Sequence, residues 1–203
     1  MKLYGHPMST CTRKVLTTLA ENQTEAQFEM VDLFKGAHKA PAYLAHQPFG
    51  QVPALEDDGF QIYESRAICR YIDGKSKGAV TPGDAKSRAV MEQWISIETS
   101  NFTPSVMKFI YHHIFNNAQS QETLDAATAQ LEKVLDVMDK QLASQPFLAG
   151  SAFSLADICF MPYIEYAMKT PAATLFTSRP HVAKWWSTVS ARPSWQKAIG
   201  ANN

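Results

Sequence analysis

The chain has 203 residues, 45% of them hydrophobic, with 19 basic and 19 acidic side chains and no formal net charge. That length buries a sizeable core, as one large domain or two small ones, and the neutral balance argues for neither a nucleic-acid partner nor an anionic membrane surface. Cys11, Cys69 and Cys159 are too few and too widely spaced for a disulfide framework, which points to a reducing, cytoplasmic compartment.

Lys2 to Gly5 reads as a strand rather than as the start of a signal peptide, because no long apolar run follows it. After a turn at His6, Pro7 and Met8, the spacing of Val15, Leu16 and Leu19 predicts a helix from Ser9 to Glu21. Phe28 to Leu33 reads as a second strand, Gly36 to Lys39 as a polar loop and Pro41 to Ala45 as a helical turn. Pro53 to Glu56 and Gln61 to Tyr63 form a hairpin across Asp57, Asp58 and Gly59. A helix follows with Ala67, Ile68, Tyr71 and Ile72 as its apolar stripe. This alternation predicts an α/β unit with a mixed sheet.

Composition then changes. Gly74 to Asp84 carries little core material and is the best linker candidate. Helical patterns fill the rest: Arg88 to Ile114, Thr123 to Leu142, Ser154 to Met168, Arg179 to Ala191 and Ser194 to Gly200. No apolar stretch is long enough to cross a bilayer. Ser154 with Asp157 three residues on reads as a capping box, with Phe153 and Ile158 at staple positions.

The stretch Phe49 to Leu55 places a proline before a strand, and Glu64, Ser65, Arg66 opens a helix. A strand edge pairs with a peptide backbone and a helix N-terminus holds a carboxylate, so the two together suit a small, extended, anionic peptide. Ser9 opens the first helix. Its ordinary role is N-cap, but a hydroxyl at the positive end of a helix can also donate to an anion such as a thiolate. Lowering a thiol from its usual pKa of about 8.5 takes about 1.4 kcal/mol per unit, within reach of one charge-assisted hydrogen bond plus a helix terminus. Cys11, in the first turn of the same helix, is the rival nucleophile, although no Cys-x-x-Cys pair accompanies it. His38 and Lys39 sit in a polar loop where they could meet a carboxylate. Adjacent His112 and His113 do not share a helix face, and neither metal-ligand spacing nor a nucleotide-binding fingerprint is present.

These residues together resemble the soluble glutathione transferases, most closely the phi class and its bacterial relatives, over essentially the whole chain. The segments that carry the resemblance are Gly5 to Arg13, Gly36 to Lys39, His46 to Pro53, Glu64 to Ile68, Phe147 to Gly150 and Ser154 to Asp157. Gln47 stands where asparagine is common, a local departure. The resemblance implies an α/β plus all-α protein. A thioredoxin-like domain (1–76) with a mixed four-stranded sheet binds glutathione, a linker follows (77–85), and an all-helical bundle (86–203) carries the second-substrate pocket. It implies that Pro53 is a cis-proline leaving the Val52 backbone free to pair with the cysteinyl unit. Glu64 and Ser65 would hold the γ-glutamyl end, and His38, Lys39 and Gln51 the glycyl end or backbone. Ser9, with Thr10 beside it, would bind the sulfur as the catalytic group.

The implied reaction is conjugation of the glutathione thiolate to small hydrophobic electrophiles in detoxification. The resemblance implies glutathione as co-substrate, no metal, peroxide reduction as a side activity, and a homodimer. Candidate lining of the second pocket is Met8, Phe34, Phe109, His113 and Tyr166, and Phe49 is a candidate dimer anchor. A Cys11-dependent thiol transferase and a non-catalytic glutathione carrier are the alternatives.

Overall fold

A computed structural model describes residues 1–200 of the chain. The chain divides into two compact units, Pro82–Ala191 and Met1–Thr81 joined by the stretch from Arg192 onward. This differs from the expected division, which placed everything after 86 in the helical domain.

The first unit contains β1 (Lys2–Gly5), α1 (Thr10–Glu21), β2 (Gln27–Met30), a 3₁₀ turn (Ala37–Lys39), α2 (Pro41–Leu44), β3 (Ala54–Asp57), β4 (Phe60–Tyr63) and α3 (Ser65–Lys75). The four strands form one mixed sheet in the order β2-β1-β3-β4, parallel between β1 and β2 and antiparallel elsewhere. Leu3, Val15, Leu55, Ile68 and Ile72 are buried in its core. β2 is shorter than the sequence predicts. Val31 still bonds to Gly5, but the Asp32 carboxylate then accepts from the Phe34 and Lys35 amides and turns the chain away.

The helix α10 (Pro193–Ile199) belongs to this unit because it packs on α1. Glu21 at the end of α1 accepts from Nε and Nη2 of Arg192, each at 2.8 Å, and the Ser194 hydroxyl also donates to it. A bidentate pair of this kind fixes orientation as well as distance.

The second unit is all-helical: α4 (Ala85–Ile97), α5 (Thr103–His113), α6 (Gln121–Leu142), α7 (Leu155–Ala167), α8 (Ala173–Thr177) and α9 (Pro180–Ser190). The single helix predicted over Arg88 to Ile114 is interrupted by a π-helical turn at Glu98–Phe102. Pro104 has no N–H and crowds the carbonyl four residues earlier, so the ladder widens just before it. Asp84 caps α4, accepting from the Lys86 and Ser87 amides at 3.0 and 2.9 Å, which starts that helix earlier than its apolar pattern shows.

The capping box of α7 forms as predicted. Ser154 donates its N–H and its hydroxyl to Asp157, each at 2.9 Å. The same buried carboxylate accepts from the Leu148 amide at 3.0 Å and the Trp185 indole at 2.8 Å. Burial pushes this carboxyl above its usual range, while the four donors pull the other way. One side chain thus joins the loop before α7, the start of α7 and α9. Asp157→Ala strands the buried amide and indole donors and removes the cap, so urea denaturation should show a loss of about 2–4 kcal/mol, against about 1 kcal/mol for Ser154→Ala.

The Glu21 clamp gives a second prediction. Burial raises this carboxyl, but the bonds from Arg192 and Ser194 outweigh it and hold the group below its ordinary range. A carboxylate with a lowered folded-state pKa stabilises the fold above its unfolded value, about 4.3, and that contribution is lost as pH falls through the folded value. Glu21→Gln should therefore be less stable than wild type at neutral pH, with a gap in melting temperature that closes as the pH drops below about 4.

Candidate functional site

The register of the sheet sets the site. Tyr4 pairs with Ala54, and Ala54 with Tyr63. One residue beyond that row stand Gly5 at the end of β1, Pro53 just before β3 and Glu64 just after β4. Three segments remote in sequence therefore leave the sheet at one edge: the loop to Ser9, the Gln51–Pro53 stretch and the Glu64–Ser65 turn.

The turn from His6 to Ser9 is held from several sides. The Ser9 amide donates to the His6 carbonyl at 2.9 Å, the Met8 amide to His6 Nδ1 at 3.2 Å, and Arg13 Nε to the Pro7 carbonyl at 2.8 Å. Gly5 is required here, because a Cβ would lie 2.6 Å from Thr12 Cγ2. With glycine, α1 starts hard against the end of β1. Ser9 is the N-cap of α1, and its Oγ accepts the Thr12 N–H at 3.3 Å. That bond uses a lone pair and leaves the hydroxyl proton to donate elsewhere. Thr10 and Cys11 follow in the first turn, both half-buried, and Cys11 is a free thiol. Cys69 lies wholly in the core, where burial pushes its thiol up to about 11, so it stays protonated and unreactive.

His38 and Lys39 lie on the 3₁₀ turn, which is joined to the Phe49–Gln51 segment. Lys39 Nζ donates to the Phe49 carbonyl at 3.1 Å. Gly50 has φ +60°, and a Cβ on it would lie 2.8 Å from both the His38 carbonyl and the Lys39 side chain. His38 Nδ1 is buried and has no hydrogen-bond partner among the described residues. An orphaned buried nitrogen of this kind suits a ligand group.

Gln51 has both backbone groups bonded: its N–H donates to Gln47 Oε1 at 3.1 Å and its carbonyl accepts from the Tyr43 hydroxyl at 2.6 Å. Burial pushes the Tyr43 hydroxyl up to about 12, so it remains a donor. Gln51's own side chain is exposed. Val52, by contrast, has no hydrogen-bond partner among the described residues, and the Val52–Pro53 peptide is cis.

Glu64 has φ +70°, a conformation uncommon outside glycine, and its exposed side chain does not cap α3. Ser65, the first residue of α3, is buried. The Ser65 amide at the head of α3 therefore has no side-chain cap and can meet an anion, beside an exposed carboxylate that can take an ammonium. A free α-amino acid end carries both charges.

The second-pocket candidates divide. Met8 and Phe34 are exposed, with Phe34 edge-on to His6 at 5.6 Å. Phe109 and Tyr166 are buried in the helical unit, whereas His113 is exposed at the end of α5. Phe49 is 65% exposed and meets Tyr63 edge-on at 6.0 Å. Tyr43 carries no sequence signal for its role, because its hydroxyl reaches a segment eight residues away through a turn that reads as nondescript. Gln47 was legible only as a residue able to bond locally.

Known proteins resemble the chain in both of its units. Residues 1–74 match the glutathione S-transferase N-terminal domain, and residues 100–193 match the glutathione S-transferase C-terminal domain. Glutathione S-transferase F6 of Arabidopsis thaliana is 37% identical over 98% of this chain and 99% of that relative. The crystal structure of glutathione transferase F7 from Populus trichocarpa superposes with a TM-score of 0.93 at 41% identity, covering 100% of this chain and 99% of the poplar one. The structure of glutathione S-transferase I from maize, in complex with an atrazine glutathione conjugate, superposes with a TM-score of 0.90 at 32% identity over 98% of this chain and 96% of the maize one. With both domains matched and relatives alike over nearly their whole length, the chain belongs to the glutathione S-transferase family, in its phi class.

Proposed function

We propose that the protein conjugates the thiolate of glutathione to small hydrophobic electrophiles, with Ser9 as the group that stabilises the thiolate. The observation that carries this reading is the state of the Ser9 hydroxyl. Its oxygen accepts from Thr12, so its position at the head of α1 is fixed, while its proton has no acceptor among the described residues. A sulfur anion placed there gains a charge-assisted hydrogen bond and the positive end of a helix.

The remaining contacts follow from the chemistry of each segment. The free Val52 backbone, with cis Pro53 behind it, pairs with the cysteinyl unit. The α3 amides at Ser65 and the Glu64 carboxylate take the two charges of the γ-glutamyl end. His38 Nδ1, Lys39 and the Gln51 side chain serve the glycyl end, and Thr10 borders the sulfur. The atrazine conjugate bound by the maize relative supports an apolar, uncharged electrophile as the partner class. The same thiolate attacking a peroxide oxygen gives glutathione-dependent peroxide reduction as a side activity. The reading includes a cytoplasmic, dimeric enzyme of detoxification, with the exposed Phe49 as the anchor of the dimer.

Ser9→Ala should lose turnover by about 10–100-fold near neutral pH, the effect of one lost charge-assisted bond, while KM for glutathione changes less than threefold. Full activity in Ser9→Ala would falsify the assignment. Cys11→Ser should retain conjugation, whereas loss of activity there, with a glutathione mixed disulfide in the wild type by mass spectrometry, would establish Cys11 chemistry instead. Glutathione binding without turnover against a broad electrophile panel would make the protein a carrier. Phe49→Ala should raise the dimer dissociation constant at least tenfold in analytical ultracentrifugation, and an unchanged constant would remove the anchor.

A further inference from the structure

The segment before Val52 shows an unusual allocation of hydrogen bonds. The Phe49 carbonyl accepts from Lys39 Nζ, the Gly50 amide donates to the Gln47 carbonyl at 3.0 Å, and the Gln51 amide and carbonyl are taken by Gln47 Oε1 and the Tyr43 hydroxyl. Bonding then stops at Val52. The chain is thus fixed on its own protein up to residue 51 and left open at the residue that follows.

Both anchors of Gln51 are themselves buried. Gln47 is 1% exposed and Tyr43 is 7% exposed, and the Tyr43 ring packs edge-on against Tyr4 of β1 at 6.5 Å between centroids. Tyr4 in turn stacks on His46 at 4.4 Å, so the sheet supports the anchors from beneath. The two anchors act on opposite sides of one residue, one accepting its N–H and one donating to its carbonyl. Together they fix the planes of the peptides before and after Gln51, and hence the orientation of the Val52 amide and the origin of the Gln51 side chain.

From this geometry we infer that Tyr43 and Gln47 are positioning residues for glutathione: they touch no substrate, but lock Gln51 so that the Val52 backbone and the Gln51 side chain meet the tripeptide in a fixed pose. The inference rests on the glutathione site proposed above. Because the anchored segment serves the cysteinyl and glycyl backbone and Ser9 serves the sulfur, losing an anchor weakens capture of the tripeptide and leaves the chemistry of the captured thiolate intact. Pre-organisation of this kind acts on affinity by reducing what must be ordered on binding.

The test uses steady-state kinetics with 1-chloro-2,4-dinitrobenzene as the electrophile. Tyr43→Phe removes only the hydroxyl. Gln47→Met keeps the length and bulk of the side chain and removes the acceptor. Each should raise KM for glutathione about 3–10-fold, the effect of one hydrogen bond, with kcat within twofold and KM for the electrophile unchanged. The double variant should show less than the product of the two single effects, because either loss already frees the same peptide. A purely structural role predicts a lower melting temperature with KM for glutathione unchanged, and that result overturns the inference. So does a fall in kcat at constant KM, or an equal rise in both KM values. Should Gln47→Met fail to fold, Tyr43→Phe decides alone by the same criteria. Failure of the wider reading looks different: the wild type would neither bind glutathione by calorimetry nor turn over.

Discussion

Antiparallel pairing of β3 against β1 and β4 is the constraint on which the site depends. The row Tyr4, Ala54, Tyr63 brings the exit of β1, the entry of β3 and the exit of β4 to one edge of the sheet. Side-chain direction alternates along a strand, so a slip of one residue would invert every buried position as well as move the site. Burial of Leu3 and Leu55 in the core holds the register against such a slip. Hydrophobic packing and the geometry of the candidate site are thus specified together, and this edge needs little design of its own. What it adds is local: glycine at positions 5 and 50, where backbone and side chains approach too closely for a Cβ, and a left-handed Glu64 ahead of α3.

The electrostatics of the edge follow from the same topology. β1 runs into α1 and β4 runs into α3, so two helix N-termini lie where the strands end. Each offers a partial positive charge, worth about 0.3–1 kcal/mol toward an anion near the surface. The two ends differ in how they are finished. Ser9 caps α1 and keeps a proton to give, which suits a sulfur anion beside a reacting bond. Glu64 leaves α3 uncapped, which suits a carboxylate that is held and does not react. Under the proposed function, a protein of zero net charge holds an anionic tripeptide through two local fields.

Much of this was legible in the sequence, for identifiable reasons. The four strands, the helices around them and the helical second half show as period-2 and period-3.6 patterns, and the Ser154–Asp157 box shows as a motif. The segments around Ser9, Val52–Pro53 and Glu64–Ser65 stood out because prolines, helix-opening hydroxyls and acids mark backbone geometry directly. Tertiary contacts left no such trace. Nothing in Arg192 or Ser194 announces that they close on Glu21 and draw α10 onto the first unit. The break before Pro104 was readable from the proline but was hidden by an apolar pattern that continues through it. Tyr43 and Gln47 sit in a turn with weak periodicity, and only the folded chain shows that their side chains end on one residue, Gln51.

The most direct test of the whole account is a crystal structure of the protein with glutathione bound. The sulfur should lie within hydrogen-bond distance of Ser9 Oγ, with the cysteinyl backbone paired to Val52 and the γ-glutamyl carboxylate on the first turn of α3. A sulfur seated on Cys11, or joined to it as a mixed disulfide, would contradict the assignment of the thiolate to Ser9.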